Sequence, residues 1–282
     1  MIKIAGDMKK RKLFCEISPF CYRISAAKCC LMRFLSDIAG NSKFCRKKSS
    51  VPLPHIIYKH KSLIRRQLGN VDMALQENKA INLAIAAPRI SGILICPGET
   101  FSLWHLVGRT SFSKGYREGL MIKHGVPDRG IGGGLCQLSN LIHWLVLHTP
   151  LEITEHHHHD GIDMFPDFGR QVPFGTGTSI SYNYLDYRFK NNTQNCFQLF
   201  IFTDEKYLCA ELRAAEPLTE KYHIQAEDEH FTFENGSWFR NGEIWKESVD
   251  KNTGRLLEKQ LIKRNHAKVM YDEKYIDEHL KR

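Results

Sequence analysis

The chain predicts an α+β fold: a buried central helix packed on an antiparallel sheet, with a basic helical N-terminal leader and a β-hairpin-rich C-terminal tail. Three observations predict it. Residues 136–148 are apolar almost all round, which suits a helix enclosed on every side. Residues 178–189, 197–202 and 207–212 read as strands, the first by its clear alternation of apolar and polar side chains. Asn235-Gly236, Asn241-Gly242 and Asn252-Thr253-Gly254 are turn signals between short β-prone runs. With 282 residues, 42% hydrophobic and 25% charged, the chain can bury a core without cross-links.

The elements follow in order. Three parts are expected: a basic arm at 1–66, a core domain at 67–215 and a β-rich appendage at 216–282. The first 66 residues carry 16 Lys or Arg against 3 Asp or Glu, and the remainder 24 against 28, so all of the +9 net charge sits in the arm. Such an arm suits an anionic membrane surface or wall polymer, or is simply a solvated leader. It lacks any nucleic-acid recognition motif, so no nucleic-acid partner is expected. Arg23, Lys28 and Arg33 interrupt its apolar stretch, so no transmembrane helix or secretory signal is evident. The nine cysteines form no small-domain framework, and free thiols fit a reducing compartment. The expected location is cytoplasmic or peripheral at the membrane. A helix is expected from about Leu63 to Ala87, anchored by Leu75, Ile81, Leu83 and Ile85. A short buried strand follows at 92–96, ended by Pro97-Gly98. Pro150 stops the central helix, and residues 151–154 form a strand leading into His156-His157-His158-His159.

The chemistry centres on Gly132-Gly133-Gly134-Leu135-Cys136. Three glycines permit backbone conformations closed to other residues and leave room beside the thiol. Cys136 in the first helical turn meets unpaired N–H groups and the positive helix end, which favour a thiolate and could hold an oxyanion. A nucleophile also needs a base. The strand after the helix would return the histidine run toward Cys136, whereas His143 lies two turns up the helix. Against this stands plain packing of a buried cysteine. A zinc site from Cys136 and the histidines is the weakest alternative; no metal and no cofactor are expected.

The blocks Pro97-Gly98-Glu99-Thr100-Phe101-Ser102, Gly132 through Leu141, Leu151 through Glu155 with its histidines, Ser181-Tyr182 to Asp186, and Lys190-Asn191-Asn192-Thr193, in that order, resemble the VanW family over roughly residues 60–275. The resemblance implies a link to cell-wall metabolism or glycopeptide response, with peptidoglycan peptides or precursors as partners. It implies cysteine-dependent acyl transfer of the L,D-transpeptidase kind; the alternative reading of the residues is a non-catalytic accessory or binding module docking through the basic arm to membrane or anionic wall polymer. Carried over, Cys136 would be the acylated thiol, His159 the histidine ending the Glu155 to His159 segment, and Ser139 the hydroxyl one turn on. Gly132, Gly133, Gly134 and Glu155 would complete the binding site. Where many relatives carry an aspartate this chain has Gly177, leaving Asp186 or Asn183 to orient the base.

Overall fold

A computed structural model describes residues 13–40, 42–66, 72–123, 126–158, 161–167 and 169–282. The chain forms two compact units, Met1–Ser42 and Lys43–Arg282. In the first, helix α1 (Pro19–Ala39) starts at Ser18, whose side chain accepts from the Cys21 amide, with proline at the first turn. It buries no residue, and Phe20 and Ile38 are largely exposed. Among the described residues no helix is long and apolar enough to cross a membrane.

The second unit holds strands β1 (His55–Leu63), β2 (Ile93–Ile95), β3 (Thr100–Ser102), β4 (Glu118–Lys123), β5 (Val126–Ile131), β6 (Glu152–Glu155), β7 (Ile162–Asp163), β8 (Arg188–Lys190), β9 (Phe197–Thr203), β10 (Tyr207–Ala214), β11 (Glu220–Glu234), β12 (Ser237–Asp250) and β13 (Leu256–Val269). Its helices are α2 (Met73–Ile90), α3 (Leu103–Val107) and α4 (Cys136–Leu147). The sheet order β1-β10-β9-β2 is antiparallel throughout. Helix α4 packs on β1 and β10, and α2 on β9. Leu83, Ile90, Leu138, Leu145, Phe197, Leu199 and Leu212 meet in one core. Helix α4 buries Leu138, Ser139 and every residue from Leu141 to Leu147, as its uniform apolarity requires. The α+β class with a central buried helix is therefore the fold.

The expectations differ from the structure at four places. The arm expected to reach residue 66 ends at Ser42, and residues 43–66 belong to the larger unit. Strand β1 lies within that stretch, and its pairing with β10 runs from His55↔Ala214 to Leu63↔Tyr207. Lys59 and Lys61 point outward from it, which is why a core strand reads as a basic leader. Helix α2 begins at Met73 and not near Leu63, because Asp72 caps it by accepting from the Ala74 amide at 2.9 Å.

Of the strand expected at 178–189, only Arg188 and Phe189 lie in one, β8. Residues upstream of it give their backbone to other partners: the Thr178 amide donates to Asn140 Oδ1 at 2.7 Å and Ser179 to the His157 carbonyl at 2.7 Å. Finally, Asn241-Gly242 is no turn but lies inside β12, opposite a register shift in β11 between Glu227 and His230. Gly242 has φ +150°, and a Cβ there would approach Glu229 Cα to 3.3 Å. The expected turns at Asn235-Gly236 and 252–254 do connect β11 to β12 and β12 to β13.

The tail sheet runs β11-β12-β13-β7, with β7 parallel to β13. Arg240 of β12 joins it to the preceding segment. Its buried guanidinium donates to Asp167 at 2.6 Å and to Asp163 at 3.3 Å, also meets Glu229, and lies over the Phe174 ring at 4.5 Å. Three carboxylates around one buried cation satisfy its fork of donors.

Candidate functional site

The three glycines before α4 are packed by the chain itself. Gly132 and Gly134 take φ of +78° and +89°, which only glycine adopts freely. A Cβ at Gly132 would fall 2.6 Å from Thr110, at Gly133 2.2 Å from the Gly119 backbone, and at Gly134 2.3 Å from the Lys79 side chain. The room expected beside the thiol is filled by these neighbours. Asn82, fully buried on α2, fastens the turn. Its Nδ2 donates to the carbonyls of Gly133 (2.9 Å) and Arg117 (3.0 Å), and its Oδ1 accepts from the Arg117 amide (2.8 Å).

Cys136 opens α4. As a residue it is half-buried, and burial pushes the thiol up; the N–H groups of Ile180 and Cys136 itself oppose that shift only in part. The direction is opposite to the one expected for a helix-start thiolate, because desolvation of a charged sulfur outweighs two amide dipoles. Ser139 is fully buried; its hydroxyl donates to the Cys136 carbonyl at 3.0 Å and also meets the Thr178 hydroxyl. Thr178 is held in turn by Asn140. Ser139 thus ties the first turn of α4 to the segment at 177–180.

The histidine run does come back to α4, but to its second turn. The rings of His143 and His156 stand 4.1 Å apart, those of His156 and His158 3.9 Å apart, and His143 Nδ1 bonds the Tyr187 hydroxyl at 3.1 Å. His156 Nε2 donates to the Gly177 carbonyl at 3.2 Å. Burial first, and then neighbouring imidazoles, push His143 well down and His156 down to about 3, so both are neutral near pH 7. His159 lies outside the described residues. Among the described residues no three His, Cys, Asp or Glu side chains converge to hold a metal ion.

Glu155 and Asp186 organise this region from below. Glu155 accepts from His157 Nε2 (2.9 Å) and the Asp186 amide (2.9 Å), and pairs with Arg188 at 3.5 Å. Buried Asp186 accepts from Ser102 (2.5 Å), the Trp104 amide (3.1 Å) and Arg188 Nε (2.7 Å). Both carboxylates therefore fix β8 against α3 and β6. Asn183, the other residue available to orient a base, sits at φ 47° in the turn at 181–185.

Beside the histidines lies a cleft of about 500 Å³, lined by His158, Gly177, Arg170 and Phe174 on one side and by Lys263, Arg264 and His266 of β13 on the other. No Asp or Glu is among its described lining residues. Asn265 shapes it by donating to the Phe174 carbonyl at 3.0 Å, and Gly175 (φ +96°) permits that approach. Sequence reasoning missed this cleft, since its basic wall is contributed by a strand nearly a hundred residues downstream of Arg170. The alternation Lys263, Asn265, Ala267 carried no signal of which face it would meet.

A family model described as "VanW like protein" matches residues 78–213. The vancomycin B-type resistance protein VanW of Enterococcus faecalis is 30% identical over 219 residues, covering 78% of this chain and 79% of that protein. The uncharacterized protein YoaR of Bacillus subtilis is 30% identical over 118 residues, covering 41% of this chain and 36% of that protein. No solved structure matches. The matched stretch carries the glycine turn, α4, the β6–β8 network and the Asn191 turn, and with the alignment to the Enterococcus protein it shows that this chain belongs to the VanW family.

Proposed function

We propose that this VanW-family chain serves the cell-wall response to glycopeptides as a peptidoglycan-binding module, its basic cleft taking a carboxylate of a stem peptide or soluble precursor. The observation that carries this reading is the cleft's lining: Arg170 and Lys263 stand on opposite walls beside two histidines, with no Asp or Glu among the described lining residues, while Arg170 also pairs with Asp167 and Arg264 pairs outward with Glu243. Its cationic wall attracts an anion, and Phe174 offers an apolar surface beside it. The Cys136 thiol, pushed up by burial, and the self-filled glycine turn support binding over covalent chemistry. Titration calorimetry with a synthetic stem pentapeptide tests it. Arg170→Ala combined with Lys263→Ala should weaken binding roughly tenfold or more, about 1.4 kcal/mol, and added salt should weaken it further. Unchanged affinity in the double variant removes the reading.

Cysteine-dependent acyl transfer keeps one observation in its favour: the Ile180 N–H directed at the Cys136 sulfur at the start of a helix. It requires iodoacetamide to label Cys136 ahead of the other cysteines, and Cys136→Ser to abolish biological activity. The binding reading expects slow labelling there, because the thiolate is scarce, and a Cys136→Ser variant that keeps activity.

A further inference from the structure

Cys96 and Cys196 stand on adjacent strand ends. The β2–β9 ladder pairs Ile93 with Leu199, Leu94 with Gln198 and Ile95 with Phe197, so the next rung outward sets Cys96 directly opposite Cys196. The rung makes no cross-strand hydrogen bond of its own: the Cys96 amide donates to the Glu99 carboxylate, the Cys96 carbonyl accepts from the Glu99 amide, and the Cys196 carbonyl accepts from Ala215 on the side of β10. In an antiparallel pair, such a rung brings Cα atoms to about 4.5 Å and side chains closest, within the span a disulfide requires. Both residues are half-buried, and the two sulfurs lie 3.1 Å apart although 100 positions separate them in sequence.

We propose that Cys96 and Cys196 are a dithiol site that closes to a disulfide when a low-molecular-weight disulfide is present. One thiol, as thiolate, attacks the reagent's sulfur and displaces one reduced thiol. Its partner, deprotonated, then attacks the mixed disulfide and releases the second. Two S–H bonds are lost and one protein S–S bond forms, while the reagent takes up two electrons and two protons. Burial and the shared hydrogen bond push Cys196 up to about 12, so closure is slow near neutrality and accelerates as pH rises. The bond would staple β2 to β9 and close the long loop carrying β3 to β8 and α4. A cross-link spanning a loop of that length constrains the unfolded chain strongly.

The full chain, reduced and then equilibrated with oxidised glutathione at pH 8, tests this by alkylation and peptide mapping. The expected result is a Cys96–Cys196-linked peptide pair and an intact mass lower by about 2 Da, the two hydrogens lost in exchange. The melting temperature should rise by roughly 5–15 °C over the reduced protein, and this rise should vanish in Cys96→Ala and in Cys196→Ala. Recovery of both cysteines alkylated, glutathione retained on either, or a bond from Cys96 to the buried Cys45 overturns the assignment. The mapping uses the unaltered chain, so a variant that fails to fold does not blunt it. The outcome is independent of what the basic cleft binds.

Discussion

Gly133→Ala tests whether the glycine turn exists for packing or for access. The added methyl would sit 2.2 Å from the Gly119 backbone, and the reciprocal Gly119→Ala would place its methyl 2.4 Å from the Gly133 carbonyl oxygen. Ordinary carbon contacts need about 3.5 Å or more, so one backbone must retreat by more than an ångström. Neither is free to do so. Gly119 is paired to Gly130 in the β4–β5 hairpin, and the Gly133 carbonyl is held by Asn82. Overpacking against yielding side chains costs about 1–3 kcal/mol; against two pinned backbones the upper end applies, about 3 kcal/mol. For a unit of this size that lowers the melting temperature by roughly 6–12 °C. Differential scanning calorimetry on Gly133→Ala, Gly119→Ala and the double variant reads it. The double variant should lose clearly less than the sum, by at least ~0.5 kcal/mol, because one separation of the backbones relieves both clashes. Gly177→Ala is the control: a Cβ there meets nothing within 4 Å, so its melting temperature should hold or rise slightly. A Gly133→Ala protein melting within about 2 °C of the parent, with altered ligand binding, would refute packing as the purpose of the turn.

Three further outcomes follow from the same geometry. Asn82→Ala takes their described partner from the Gly133 carbonyl and the Arg117 amide, while the Arg117 carbonyl keeps the Gly132 amide, and should cost about 2–4 kcal/mol in urea denaturation; a cost under ~1 kcal/mol would show the turn is held some other way. Arg240→Ala removes the cation shared by Asp163, Asp167 and Glu229, leaving Asp163 to Tyr271 and Asp167 to Arg170 among the described residues, and should cost about 3 kcal/mol, while loosening the Arg170–Phe174 wall so that the cleft binds its anion more weakly; retained stability would count against the carboxylate cluster as the joint. Stability should fall as pH drops from about 6.5 toward 4. His156 and His148 are held down to about 3 and about 4 in the fold by burial. The unfolded chain therefore takes up protons in that window that the folded chain does not. Melting temperatures at pH 7 and pH 5 check this, and His156→Gln should flatten the slope. A melting temperature independent of pH there would contradict the buried neutral histidines.

The sequence by itself determined the class of fold, the central helix and two of the three tail turns, because these are local. Uniform apolarity over 136–147, Pro150 and Asn-Gly pairs act through near neighbours, and no distant partner is needed to read them. The family was legible in the same way, as an ordered set of short blocks. Tertiary structure decided the rest. Lysines on one face made β1 look like leader until β10 paired along its edge and α4 covered its other face. The glycines looked like open space until Gly119, Thr110 and Lys79 filled it. The direction of the Cys136 shift depended on burial, which no motif encodes. The basic cleft and the Cys96–Cys196 rung each join segments distant in the chain, and such juxtapositions arise only from strand register and sheet order.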